Sequence, residues 1–149
     1  MKRASTKGPG HSRQDALVDG LAQAAFATMA VLQKVSAENE LSLTQLRVLG
    51  ILRDRRPRMA ALADYLGLEK STLSGLIDRA EKRGLVARAA SPDDGRAVDV
   101  FLTRRGTELA ERLTAQVREA LAPLTQRLEA SEQREMQRLL GRMLESSEG

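Results

Sequence analysis

Lys70–Arg83, KSTLSGLIDRAEKR, followed at once by the run Gly84–Thr103, GLVARAASPDDGRAVDVFLT, decides how the chain reads. In the first part Leu73, Leu76, Ile77 and Ala80 recur at i, i+3, i+4 and i+7, which predicts a helix with one stripe committed to a core. The opposite face then carries Lys70, Ser71, Ser74, Gly75, Asp78 and Lys82. Small hydroxyls and cations of this kind fit a major groove without steric conflict and can hydrogen-bond base edges and phosphates. In the second part Leu85–Ala89 predicts a short strand, and Ser91-Pro92-Asp93-Asp94-Gly95 is a turn cluster. Val98, Val100 and Leu102 alternate with Ala97, Asp99 and Phe101 in a returning strand. A reading helix followed by a hairpin with Arg96 at its tip is a winged helix-turn-helix in outline.

Working toward the N-terminus, Gly67 provides a left-handed stop for a short helix over Met59–Leu66, with Leu62, Ala63 and Leu66 inward. Ser42-Leu43-Thr44-Gln45 has the form of a capping box and starts another helix bearing Leu46, Leu49, Ile51 and Leu52. That helix ends in the basic turn Arg53–Arg58, where Pro57 forbids continuation. Ala16 to about Ala37 is Ala-rich, with Leu17, Leu21, Ala24, Ala25, Thr28 and Leu32 on one stripe, and reads as a helix buried on two sides. Residues 1–12 are polar and rich in turn formers, and a disordered tail is expected there, with order beginning near Asp15.

Toward the C-terminus, Thr103 is placed to cap a long helix whose Leu109, Leu113, Val117, Leu121, Leu124 and Leu128 form a coiled-coil-like seam, kinked at Pro123. Ser131 is expected to start a last helix with Met136, Leu139, Leu140, Met143 and Leu144 on one face. The fold class expected is therefore mainly α: a winged helix-turn-helix over 41–103, and a helical dimerisation region from 13–40 and 104–146.

Composition narrows the function. The net charge is +4, and the segments 1–46, 47–105 and 106–149 carry +1, +5 and −2, so the cationic excess coincides with the helix and hairpin. A solvated basic surface would give the same count. There is no cysteine and one histidine, His11, which excludes thiolate chemistry and leaves no basis for histidine metal sites or nucleophile pairs. No metal, cofactor or catalytic set is expected, and no acidic cluster at ligand spacing supports an enzyme. Asp93 and Asp94 read as turn formers. Phe26, Tyr65 and Phe101 are the only aromatics, so a chain this slender gains burial by sharing a core with a second copy. The longest uncharged stretch, Gly20–Gln33, is too short for a membrane span, and no signal-peptide pattern follows the basic start, so a cytoplasmic protein is expected.

The run Asp94-Gly95-Arg96-Ala97-Val98-Asp99-Val100-Phe101-Leu102-Thr103-Arg104-Arg105-Gly106 has the form Asp-x-Arg, a strand, then Leu-Thr-x-x-Gly. With Leu62–Leu68 and Ser71–Arg79 upstream, it resembles the multiple antibiotic resistance regulator (MarR) family of bacterial transcription factors, from about residue 15 to 146. The resemblance implies a homodimer with interlocked terminal helices and two winged units on a pseudo-palindromic operator in double-stranded DNA. It also implies repression relieved by a small-molecule effector. By position, Arg96 would enter a minor groove, Asp94 would hold its guanidinium or the neighbouring backbone, and Ser71, Thr72, Ser74, Gly75 and Arg79 would lie on the reading surface. Glu69 and Gly75 stand where relatives commonly carry a small polar cap and a larger polar residue.

Arg58, Arg79, Lys82 and Arg88 are candidate phosphate contacts, with pairing to Asp64, Asp78 or Glu81 as the alternative. Phe26, Met29 and Tyr65 are candidates for an effector pocket. A winged module that binds protein instead of DNA is the alternative function, and would need an acidic or apolar reading face.

Overall fold

The computed structural model describes residues 9–145. Its elements run α1 (Pro9–Glu38), α2 (Leu43–Leu52), α3 (Met59–Leu66), α4 (Lys70–Lys82), β1 (Val86–Ala90), β2 (Val98–Leu102), α5 (Arg104–Thr125) and α6 (Ala130–Leu144). Local chemistry sets most of the boundaries. Ser42 and Gln45 form the reciprocal capping box at the start of α2, and Gly67 and Gly84 take φ of 65° and 74° just after α3 and α4. Residues 9–12, expected in a tail, belong to α1, because Pro9 presets a helical φ at a position whose N–H has no intrahelical partner. Residues 1–8 of that expected tail lie outside the described residues. The last helix starts at Ala130, capped by Glu129 with Glu132 in a capping box, one residue ahead of the expected Ser131.

The centre of the molecule is the apolar stripe of α4. Leu73 and Ile77 are essentially sealed against Leu62 of α3, Val48 of α2 and Val100 of β2. β1 and β2 pair antiparallel with Val86 opposite Leu102 and Ala90 opposite Val98. The expected alternation along β2 fails at one end. Val98 is exposed and Asp99 is buried, because the chain at Pro57–Arg58 lies alongside β2: the Val100 N–H donates to the Pro57 carbonyl at 3.0 Å, and Arg58 bridges Asp99. Asp99 is therefore buried beside the Arg56 guanidinium, 3.5 Å away, instead of facing solvent.

The join between hairpin and α5 explains the Leu-Thr-x-x-Gly pattern. The Thr103 hydroxyl donates to the Gly84 carbonyl at 2.6 Å and accepts from the Gly106 N–H at 3.0 Å, while the Thr103 N–H donates to the Leu85 carbonyl at 3.0 Å. Gly106 is pressed so close that a Cβ there would fall 1.8 Å from the Leu85 carbonyl oxygen. One residue thus ties the end of α4, the hairpin and α5 together. This is a winged helix-turn-helix on a mainly helical frame.

Outside that core the helices are poorly covered. Leu17, Val18, Leu21 and Phe26 of α1 and Met136, Leu139 and Met143 of α6 are exposed, and α6 buries no residue. By length and composition Ser12–Glu38 is apolar enough to cross a membrane, which the uncharged stretch alone does not suggest because Asp19 and Lys34 bound it. Its C-terminal end is nevertheless packed: Val35 and Ser36 are buried, and the Asn39 amide donates to Gln116 of α5 at 2.7 Å.

Two glycines should respond in opposite directions. Gly106→Ala must displace backbone and is expected to cost about 3 kcal/mol or to prevent folding. Gly75→Ala meets only the end of the Arg79 side chain at 3.6 Å and is expected to raise stability by about 1 kcal/mol through helix propensity. Urea unfolding of both variants checks the pair; equal effects would contradict the packing described.

Candidate nucleic-acid interface

Burial of Leu73, Leu76, Ile77 and Ala80 turns the rest of α4 outward. Lys70, Ser71, Thr72, Arg79 and Lys82 are exposed, and Ser74 and Gly75 are half-buried on the same side. Glu69 is the N-cap residue in an extended conformation but makes no side-chain cap, so the first-turn amides of α4 keep their hydrogen-bonding capacity. The Arg79 guanidinium lies back over Gly75, in the space a larger residue would fill.

The hairpin tip is built by Asp94. Its carboxylate accepts the Arg96 N–H at 3.0 Å and its carbonyl accepts the Ala97 N–H at 3.0 Å, while the Ser91 N–H closes on the Ala97 carbonyl at 2.9 Å. Asp94 thus holds the backbone of Arg96 and leaves the guanidinium exposed. Among the described residues, Lys70, Arg79, Lys82, Arg58 and Arg96 have no ion-pair partner.

Arg88 is arranged differently. It reaches Asp78 at 2.5 Å and Glu81 at 2.9 Å, both on α4, and its pKa is raised, first by the hydrogen bond it donates to Glu81 and then by the one it donates to Asp78. It has taken the pairing alternative and fastens β1 to α4, with its charge compensated within the chain.

Arg56 was not singled out by its sequence context, yet it holds the hairpin. It pairs with buried Asp99 at 3.5 Å and its guanidinium stacks 4.0 Å from the centre of the Phe101 ring. Arg83 was also missed; it donates to the carbonyls of Glu40 at 2.8 Å and Asn39 at 3.4 Å, joining the end of α4 to the turn after α1. Both contacts span more than 40 residues of sequence, beyond the range of any local pattern.

The candidate pocket residues separate. A cavity of about 550 Å³ opens between α1, α2 and α5, walled by Met29 and Leu32, Leu46 and Arg47, and Leu113 and Val117. Met29 belongs to it. Phe26 is 74% exposed and not part of the wall, and Tyr65 lies on α3 with Arg47 5.6 Å from its ring centre.

The sequence profile of the MarR family matches residues 40–97, the stretch from the start of α2 to the hairpin tip. A helix-turn-helix transcriptional repressor of Mycobacterium tuberculosis is 38% identical over 84 residues, covering 56% of this chain and 60% of the repressor. The chain thus spans about three-fifths of the length of that relative. The homoprotocatechuate degradative operon repressor of Escherichia coli is 29% identical over 85% of this chain and 86% of its own length. CouR from Rhodococcus jostii RHA1, solved bound to p-coumaroyl-CoA, superposes with a TM-score of 0.76 over 90% of this chain and 95% of its own at 22% identity, a likeness of fold. Over residues 40–97, the winged part of the chain, the sequence is thus similar to the MarR family.

Arg56→Ala leaves the Asp99 carboxylate buried without its cation and is expected to cost about 1–2 kcal/mol, discounted because Arg56 is itself half exposed. Arg55→Ala, at an exposed neighbour, should fall within about 0.5 kcal/mol of the parent. Chemical denaturation of the two variants decides whether the Arg56 contacts hold the wing.

Proposed function

We infer that the chain is a DNA-binding transcriptional repressor acting as a homodimer, with 41–103 as the reading unit and 13–40 with 104–146 as the dimerising unit. The observation that carries this reading is the outward face of α4 beside the wing: small hydroxyls at Ser71, Thr72 and Ser74, flanked by the uncompensated cations Lys70, Arg79, Lys82, Arg58 and Arg96. The first turns of α4 would read base edges, Arg96 a minor groove, and the other cations phosphates. An inverted-repeat operator follows from two copies related by a twofold axis. The repressors among the similar proteins support the same direction of control.

Dimerisation is supported by the uncovered apolar surface of α1, α5 and α6. Leu17, Phe26 and Leu144 each leave well over half of their surface exposed, and each large side chain so placed forgoes roughly 1.5–3 kcal/mol of burial. Helices that join another copy in this way account for the apolar length of α1.

The cavity between α1, α2 and α5 is the effector site in this reading. Its wall is apolar with Arg47 and Thr114 as polar points, which suits a flat or chain-like apolar molecule with one anionic or hydrogen-bonding end. It touches helices of both units, so a ligand wedged there would change the angle between the two winged units and weaken operator binding.

Fluorescence anisotropy with an inverted repeat selected from a random duplex library tests the function. Affinity should fall steeply with salt; Arg96→Ala should weaken binding about tenfold and lower the salt slope by about one, whereas Arg88→Ala should leave the slope unchanged. A flat salt response, or equal slopes for wild type and Arg96→Ala, would remove the wing and the phosphate contacts from the account. Sedimentation at micromolar concentration should give twice the chain mass, and a monomer at that concentration would contradict the dimer.

A further inference from the structure

The base of the wing carries a second charged feature, apart from the reading face and the apolar cavity. Between the turn after α1, the end of α4 and the first turns of α5 lies a cleft of about 500 Å³, lined by Asn39, Arg83, Arg105, Glu108 and Arg112 over Leu85 and Leu109. Three guanidiniums face it from two separate parts of the chain. Arg83 is fixed in place by its bonds to the Glu40 and Asn39 carbonyls. Arg105 lies over Gly84, and Arg112 follows two helical turns later on the same face of α5. The one carboxylate on the rim, Glu108, is directed to Arg104 at 3.6 Å, and neither Arg105 nor Arg112 has an ion-pair partner among the described residues. Even with Glu108 counted, the cleft keeps an excess of two positive charges.

Like charges gathered around a small-molecule-sized volume repel one another unless an anion fills it. Arginines on a plain solvated face stay mobile, whereas Arg83 here is held by two carbonyls and buried in part, so one of the three cations is set in place before any ligand arrives. We propose that this cleft binds a small oxyanion with at least two negative charges, a phosphate ester or a polycarboxylate, through Arg83, Arg105 and Arg112. Guanidinium forks match both groups in geometry. The DNA backbone is a poorer occupant. The wing tip lies at the far end of five-residue strands, about 16 Å away, and the first turn of α4 is about 18 Å from Arg83. The residues that would read DNA are thus at the opposite ends of both elements. A ligand here would bridge the end of the reading helix and α5, and its binding stands whether or not the DNA reading holds.

Titration calorimetry of the full chain with inorganic phosphate and with citrate, at ionic strength held constant with sodium chloride, tests the site. The expected result is saturable binding of at least one probe, one per chain, weakened at least tenfold in the Arg105→Gln/Arg112→Gln double variant. The stronger probe separates a phosphate ester from a polycarboxylate. Both replaced side chains are exposed, and unchanged circular dichroism confirms that the variant is folded. Its DNA affinity without either probe should stay within twofold of wild type. Equal heats from the two proteins, or no saturable heat from either probe, would overturn the proposal. So would a double variant with weaker, less salt-dependent DNA binding, which would assign the cleft to the DNA backbone instead.

Discussion

Everything outward on this molecule depends on what α4 hides. Leu73, Leu76, Ile77 and Ala80 are locked among Val48, Leu62 and Val100, and a helix so anchored cannot rotate without exposing four apolar side chains. The hydroxyls and cations on its other side are therefore presented in a fixed orientation. That presentation costs no reordering when a partner arrives, which is the physical advantage of building a recognition surface on a rigid element. The hairpin inherits its direction from the same core through Val100, through Arg88 reaching back to Asp78 and Glu81, and through the Thr103 hydroxyl between Gly84 and Gly106.

The two halves of the chain solve opposite problems. The winged unit buries most of its apolar residues internally and exposes charge, whereas α1 and α6 keep large apolar side chains uncovered. A polar rim around a closed core suits a charged, hydrated partner, and an uncovered apolar face suits another copy of the same face. Arg83, bonded to the Asn39 and Glu40 carbonyls, and Arg53, bonded to the Thr114 hydroxyl, join the two halves, so strain introduced among the long helices has a short route to the end of α4.

Features governed by neighbours in the chain were legible in the sequence. The Ser42–Gln45 box, the stops at Gly67 and Gly84, the Thr103 cap and the division of α4 into two faces each rest on residues within a few positions of one another. Those that rest on distant contacts were not. Asp99 reads as outward by alternation and is turned inward by Arg56 and the Pro57–Arg58 segment; the roles of Arg56 and Arg83 arise only from partners across the fold. Ser131 is a good cap residue, but Glu129 with Glu132 forms the capping box two residues earlier. Of the three residues considered for a pocket, Met29 alone lines the cavity, because helical phase, not aromatic character, decides which side chains face it.

The absence of cysteine from the chain allows the central claim to be read at single positions. Single-cysteine reporters placed by Ser71→Cys, Arg96→Cys and Glu111→Cys would be alkylated with a maleimide in the absence and presence of a bound inverted-repeat duplex. The account predicts that the duplex slows labelling at 71 and 96 at least tenfold and leaves 111 unchanged. Equal rates at 71 with and without the duplex, or protection confined to 111, would contradict it.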